Sequence, residues 1–413
     1  FSIPFSFSLS EQDRNFSQPF NQFGLSPTYK WLTVHGGYRN LSFSPYTLDG
    51  YTMLGAGVEL KPKGFALSVM HGRLNRATAI DTTLGTLQPF SFSRKGTAFK
   101  IAMGDEKNHL TVSALKASDD STSVNVAVTV KDKVRAAANT VGSVAFRQEF
   151  AKKLFIEGDA AASVYTADIG SAIKFTDSTG NLTKLDNIII VNGTSEFSTA
   201  YRGAVGIKLK NFFLKLEYKN ISPNFQSMGV YFFNTDVESY TVSPTFNIGS
   251  KFQFTGSIGK QKDNTKNQKQ ATTERWISMS SFSWNFTQQF GIDANFSNFS
   301  TNSKPTEVLV QNKYLFAQNN NNLSISPRFV KSTTKGTHVV LLSYNNASLV
   351  DRNDVTQTQN NINTSVYLLS YTYSINKSGT SLTGAISKTN NKLSIGNFDN
   401  LGFTAAINKV WLK

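Results

Sequence analysis

The sequence predicts an all-β protein, a large up-and-down antiparallel transmembrane β-barrel of about nineteen strands (about 18–20), with short periplasmic turns and long extracellular loops. Three observations carry this: strict two-residue alternation of apolar and polar side chains, connections that are short and long in turn, and the absence of continuous apolar runs. The clearest stretch is FSTAYRGAVGIKLKNFFLKLEY, residues 197–218. In it Phe197, Tyr201, Val205, Ile207 and Leu209 fall on one face, with Ser198, Arg202 and Lys208 between them. After Lys210-Asn211 the return leg places Phe212, Leu214, Leu216 and Tyr218 opposite Lys215, Glu217 and Lys219. Period two means strand, and two runs joined by a short polar link mean an antiparallel hairpin. Each leg has about ten residues, the length with which a tilted strand crosses a hydrocarbon core of about 30 Å.

Composition decides what kind of sheet this is. The chain has 413 residues, 39% hydrophobic, with 33 Phe and 14 Tyr against 4 Trp and 5 Met. A soluble chain of this length ordinarily forms two or three domains with continuous apolar core segments, and the sequence has none. No window approaches the roughly 18 apolar residues of a membrane helix. The N-terminus has no signal peptide and reads as mature or trimmed. With no Cys there is neither a disulfide framework nor a thiolate metal site. Asn-X-Ser/Thr triplets, such as those at Asn40, Asn285 and Asn295, follow from the abundance of Asn, Ser and Thr. The net charge of +15 is expected on the lumen wall, rims and loops.

Along the chain, residues 1–10 alternate Phe1, Ile3, Phe5, Phe7 and Leu9 with serines and read as the first strand. Residues 11–29 break the period with two Pro and a Gly, and are expected to form an ordered segment on the periplasmic side or in the lumen. Strands follow at 30–43, 51–60, 65–74, 96–103 and 110–116. Residues 124–150 read as one extended strand rising above the membrane, with a helical turn as the rival reading of 134–139. Next come 154–165, the hairpin 197–218, 240–248, 252–258, 276–286 and 290–296. A polar stretch with Asn319 to Asn322 precedes strands at 323–329, 338–344, 367–373, 382–386 and 401–407. Their lengths are nearly uniform and nothing resembles a domain linker, so residues 1–413 are taken as one barrel domain.

Short links (KPKG, GDEKN, AKK, KN, GSK, TQQ, KSTTKG, NKSG) alternate with long polar ones near 77–94, 166–196, 222–236, 262–274, 299–312 and 345–362. Transmembrane barrels have this asymmetry, and closure removes the edges of so long a meander. A soluble solenoid needs a recurring motif that the chain lacks. In a propeller or lectin-like sandwich the loop asymmetry would be an accident. Simple alternation from Phe1 makes the first and last strands run the same way, so the native protein is expected to extend beyond this sequence and to complete an even count of about twenty strands.

The segments PFNQFGLSPTYKW (19–31), GYRNLSFSPYTLDG (37–50), GAGVEL (55–60) and HGRLNRA (71–77) resemble a block shared by uncharacterised outer-membrane β-barrel proteins of Bacteroidota. The resemblance covers about the first fifth of the chain and implies fold and location, the bacterial outer membrane, without a reaction. Asp-Ser/Thr-X triplets at Asp81, Asp120 and Asp177 are similar to the O-glycosylation sequon of that phylum.

No enzyme is expected. His35, His71, His109 and His338 are scattered without a Ser/His or Asp/His spacing and read as rim or wall residues. No phosphate loop or metal-ligand cluster is present, and no catalytic, metal or cofactor site is assigned. The expected lumen-lining residues are Glu157, Asp159, Arg202, Lys208, Lys215, Glu217 and Lys219. Glu157 and Asp159 share one face and read as members of ion pairs with basic neighbours.

Two functions follow. A barrel this wide is not filled by its own side chains and holds water or a plug, which gives a porin-like channel for small or anionic solutes. The alternative is an accessory or scaffold subunit of an outer-membrane complex for protein secretion, barrel assembly or nutrient uptake. In that case Phe225, Tyr231, Phe232 and Phe233 of the 222–236 loop would dock a partner. A soluble all-β adhesin ranks below both. The expected partners are outer-membrane lipid and lipopolysaccharide, and proteins of such a complex, with no nucleic acid.

Overall fold

The computed structural model describes residues 5–6, 22–78, 91–124, 135–174, 189–232, 234–306, 316–353 and 356–410. Where the sequence alternates, these residues form strand, antiparallel throughout the large sheet. In order they are β1 (Phe5–Ser6), β2 (Gln22–Leu25), β3 (Thr28–Tyr29), β4 (Leu32–Asn40), β5 (Leu48–Asp49), β6 (Thr52–Leu60), β7 (Phe65–Asn75), β8 (Ser93–Gly104), β9 (His109–Asp120), β10 (Ala138–Phe150), β11 (Leu154–Thr166) and β12 (Ser195–Lys208). They continue with β13 (Phe212–Ile221), β14 (Gly229–Val230), β15 (Val237–Ile248), β16 (Phe252–Lys262), β17 (Ala271–Asn285), β18 (Phe290–Pro305), β19 (Ala317–Ser332), β20 (Gly336–Asp351), β21 (Ile362–Ile375), β22 (Thr380–Leu393) and β23 (Gly396–Lys409). A single helical turn, Gln357–Asn360, is present among the described residues. The all-β, up-and-down antiparallel class expected from the sequence is the one observed.

Several boundaries differ from the sequence reading. The 124–150 segment is not one strand: β10 starts at Ala138, residues 125–134 lie outside the described residues, and 135–137 are irregular. Strand lengths are not uniform: apart from the short β1, β2, β3, β5 and β14 they run from nine residues in β4 to sixteen in β18, β19 and β20. The polar Asn319 to Asn322 stretch lies inside β19, and the loops expected at 262–274, 299–312 and 345–362 give up residues to β17, β18, β20 and β21. The cause is common to all of these. Asn, Ser and Thr pair as well as apolar residues once a neighbouring strand satisfies the backbone, so the ladder outlasts the alternation. Of the expected strand 1–10 only Phe5–Ser6 is described; of the expected ordered segment 11–29, residues 11–21 lie outside the described residues, as do Asp81 and Asp177, and the remainder contains β2 and β3.

The chain divides into two compact units. Unit 1 comprises residues 1–150, 156–203 and 219–236, and unit 2 comprises 151–155, 204–218 and 237–413.

In unit 1, β2, β4, β6, β7, β8, β9 and β10 form a continuous antiparallel meander. A row of glycines crosses it in register: Gly24, Gly37, Gly55, Gly72 and Gly96 pair in turn. A Cβ on Gly55 would stand 2.0 Å from the His71 carbonyl oxygen, and one on Gly72 2.4 Å from that of Leu54. The strands pass each other here closer than any side chain allows, as at a sharp bend in a sheet.

In unit 2, β15 through β23 pair each with the next. One face carries Phe290, Ile292, Ala294 and Phe296 on β18, Leu323 and Ile325 on β19, Val340, Leu342 and Tyr344 on β20, and Tyr367, Leu369, Tyr371 and Tyr373 on β21. On that same face the apolar residues then stop, and Asn298 and Ser300, Asn321 and Asn319, Asn346 and Ser348, and Ser365 and Asn363 continue the four strands. The long strands therefore have an apolar band at the short-turn end, and toward the long loops that face turns mostly polar while the other carries the row Ile277, Phe299, Leu349, Ile362 and Leu393 among its polar residues.

Candidate functional site

In unit 1 the face opposite Val58, Val69, Val112 and Val144 is made of small residues, and two loops lie on it. Residues 41–51 bring Phe43, Tyr46 and Leu48; residues 222–236 bring Phe225 and Met228. Phe43, Leu48 and Met228 pack with Met53, Met70, Leu74, Ala98, Leu115 and Ala117 of the strands. Tyr46 and Phe225 pack with Val141, Ala161, Ala200 and Ile221. The two loops also join each other, through the parallel pair β5–β14, in which Leu48 and Asp49 face Gly229 and Val230. A Cβ on Gly229 would meet the Thr47 carbonyl oxygen at 2.5 Å, so only glycine permits this approach.

Polar contacts fix this inlay to the strands. Asn139, fully buried on β10, donates through Nδ2 to Ser163 Oγ at 2.9 Å and to the carbonyls of Val164 and Gln226 at 3.0 and 3.3 Å, and its Oδ1 accepts from the Met228 amide at 3.0 Å. Ser163 donates to the Gln226 carbonyl at 2.6 Å, and Ser227 donates to that of Thr47. Thr47 Oγ1 contacts Ser113 Oγ, which contacts Ser143 Oγ. Phe225, expected to dock a partner, is instead buried in this core; Tyr231 stacks on Tyr51 with centroids 4.1 Å apart, and Phe233 lies outside the described residues.

All seven expected lumen residues lie on the polar face of their strands, alternating with the exposed apolar positions. In unit 1, Arg202 meets Asp159 at 2.6 Å and Glu157 at 3.7 Å, and Arg147, which the sequence reading did not single out, binds Glu157 as well. Lys219 also belongs to this unit. In unit 2, Lys215 pairs with Glu217 at 2.8 Å, and the Lys208 amide donates to the Lys153 carbonyl across the turn.

The polar face of unit 2 holds a groove of about 670 Å³. Hydroxyls and amides, among them Thr255, Ser257, Asn295, Ser297, Asn322 and Asn345, line it together with Met279, Phe296, Leu323 and Val366; no charged side chain takes part, and most of its surface is apolar. Basic residues cluster on the other face, beyond the apolar band: Lys262 pairs with Glu238 at 2.6 Å, while Lys260 and Lys304 flank Glu274 at 3.5 and 3.9 Å. The apolar band itself ends in aromatic rings. Phe212, Phe246, Phe252, Phe282, Trp284, Phe286, Phe290 and Phe329 form linked contacts near the short turns. Tyr218, Tyr240 and the Lys260–Trp276 pair lie toward the long loops.

One histidine joins a hydroxyl to a carboxylate. His35 Nδ1 is 2.6 Å from Ser26 Oγ and its Nε2 is 3.4 Å from Glu59, which also accepts from Lys61 and Ser68. Ser26 and His35 are each only 3% exposed, so substrate has no path to the hydroxyl, and the group braces β4 against β6 and β7.

No protein-family model matches the chain, and neither does any curated protein. Among solved structures, it is similar to a bacterial polysaccharide outer membrane secretin, with TM-score 0.31 and 8% identity over 77% of this chain and 91% of that one. It is also similar to the P pilus usher (PapC) translocation pore, with TM-score 0.36 and 11% identity over 97% and 88%. Both likenesses are too slight to carry fold or function to this chain.

Proposed function

We propose that the chain is an integral β-barrel of the bacterial outer membrane and serves as a channel for small polar solutes. The observation that carries this reading is the two-faced wall of unit 2. The apolar run from Phe290 to Phe296 covers seven residues, and that from Tyr367 to Ile375 covers nine. At ~3.3 Å per residue these are about 23–30 Å of strand, or ~18–23 Å along the membrane normal at a tilt near 40°, most of the ~25 Å apolar band of outer-membrane barrels. Aromatic residues at both margins match the interfacial girdles of such barrels. Toward the long loops the face that carries the apolar band turns polar, as in strands that rise above the bilayer.

The opposite face supports passage rather than chemistry. Its groove carries no charge and sets hydroxyls and amides among apolar side chains, which favours uncharged solutes over the anions suggested by net charge alone. The inlay of 41–51 and 222–236 acts in this reading as a plug carried on the polar face of unit 1. Replacing 222–236 by a Gly-Ser turn should raise single-channel conductance in planar bilayers. If neither the parent nor a correctly folded deletion conducts, the channel reading fails.

An accessory role in a larger assembly is a second reading, favoured by β23. Twelve of its fourteen positions are exposed, and lipid accounts only for the face of Phe403 and Ile407, not for that of Thr404 and Ala406. A partner chain against this strand would cover the latter. Isolation in mild detergent with a stoichiometric second protein on β23, lost in Thr404→Arg/Ala406→Arg, would favour this reading.

A further inference from the structure

The mouth of the unit 1 inlay contains a second, smaller cavity of about 340 Å³, bounded by Arg94, Tyr165, Asn224, Gln226, Tyr231 and Thr235. It has room for about ten waters at ~30 Å³ each. We propose that this cavity binds the ring of a neutral saccharide.

Charge comes first. Arg94 is the cation of the lining, and it is held in a two-point bond by Asp119, Nε to Oδ1 at 2.8 Å and a terminal nitrogen to Oδ2 at 3.2 Å. That pairing cancels the charge an anionic ligand would need. It leaves unused guanidinium N–H donors beside carboxylate lone pairs, a planar array suited to adjacent hydroxyls. The Gln226 and Asn224 amides and the Tyr165 phenol add donors and acceptors of the same neutral kind, Asn224 being oriented by Glu196 at 2.8 Å. Burial also raises the Tyr51 phenol above its ordinary value, so this neighbour of Tyr231 stays a neutral donor.

Shape comes second. Tyr231 is 68% exposed, yet its ring is set by stacking on Tyr51, with planes 15° apart. An exposed aromatic face fixed in advance is a platform for the C–H face of a sugar, and fixing it beforehand lowers the entropy lost on binding. The cavity floor is also fixed, since Asn139 and Ser163 hold the Gln226 carbonyl and Asn139 holds the Met228 amide.

Binding does not depend on conduction, so the proposal and the channel reading fail separately. The test is calorimetric titration of the detergent-purified full chain with maltotriose, cellotriose and chitotriose as neutral probes and trigalacturonate as the charged one. At least one neutral trisaccharide should bind. Tyr231→Ala should weaken it at least tenfold, Tyr231→Phe should restore it, and Gln226→Ala should weaken it severalfold, with the heat-modifiable gel mobility of the folded barrel unchanged. Binding of trigalacturonate alone, no binding across the neutral probes, or neutral binding indifferent to Tyr231→Ala would each overturn the proposal.

Discussion

Arginine placed at two positions of β20 measures where the bilayer lies on this wall. Leu342 and Ser348 share a face, because they are separated by an even number of residues on one unbroken ladder. Leu342 is half exposed and pairs with Leu369, in the apolar band; Ser348 pairs with Asn363, in the polar zone. Six residues are about 20 Å of strand at ~3.3 Å each, or ~15 Å along the membrane normal for a tilt near 40°. That exceeds half the ~25 Å apolar band, so the same substitution moves from hydrocarbon to water. Arg at the midplane costs about 2–4 kcal/mol and near or beyond the interface about 0–1. At 1.4 kcal/mol per tenfold, Leu342→Arg should lower the folding equilibrium by about 30- to 700-fold and Ser348→Arg by at most about fivefold. Urea unfolding in lipid vesicles, followed by tryptophan fluorescence and gel mobility, reads both. Equal costs for the two would show that this face does not contact lipid in the way described.

The same wall makes Leu216→Arg impair vesicle assembly by a similar amount, while Lys215→Ser, which loses one part-exposed ion pair, should cost at most about 1 kcal/mol; the reverse order would mean that the faces are inverted. Asn139→Leu strips the Met228 amide of its partner at about 1–3 kcal/mol and leaves the Gln226 carbonyl with Ser163 alone. Limited proteolysis within 222–236 should accelerate, and an unchanged rate would remove Asn139 as the anchor. Gly55→Val drives a side chain against the His71 carbonyl and should block assembly more than Gly142→Val, where a Cβ meets nothing within 4 Å; comparable yields of folded protein would deny the bend its role.

How much of this was legible in the chain follows from the range of each interaction. Alternation is local, so nearly every long strand, the hairpin at 197–218 and the polar-face positions of Glu157, Asp159, Arg202 and Lys215 could be read directly from residues two apart. Strand ends could not be read, because Asn298, Asn319 and Asn321 become strand only when they bond one another across β18 and β19.

The sequence by itself determined an antiparallel meander with one apolar face, since the two-residue period and the turn residues act between neighbours in the chain. Only the tertiary structure decided what lies on the polar face of unit 1. The 222–236 loop stands out by its aromatics, but nothing local distinguishes Phe225 from Phe232. Their fates part because Asn139, eighty-nine residues before Met228, offers a buried amide that holds the loop against the small residues of β9 to β12, and Phe225 then finds Val141, Ala161 and Ala200. The glycine row acts the same way. Each Gly looks permissive alone, and only their common register across five strands makes the bend beside which the loops pack.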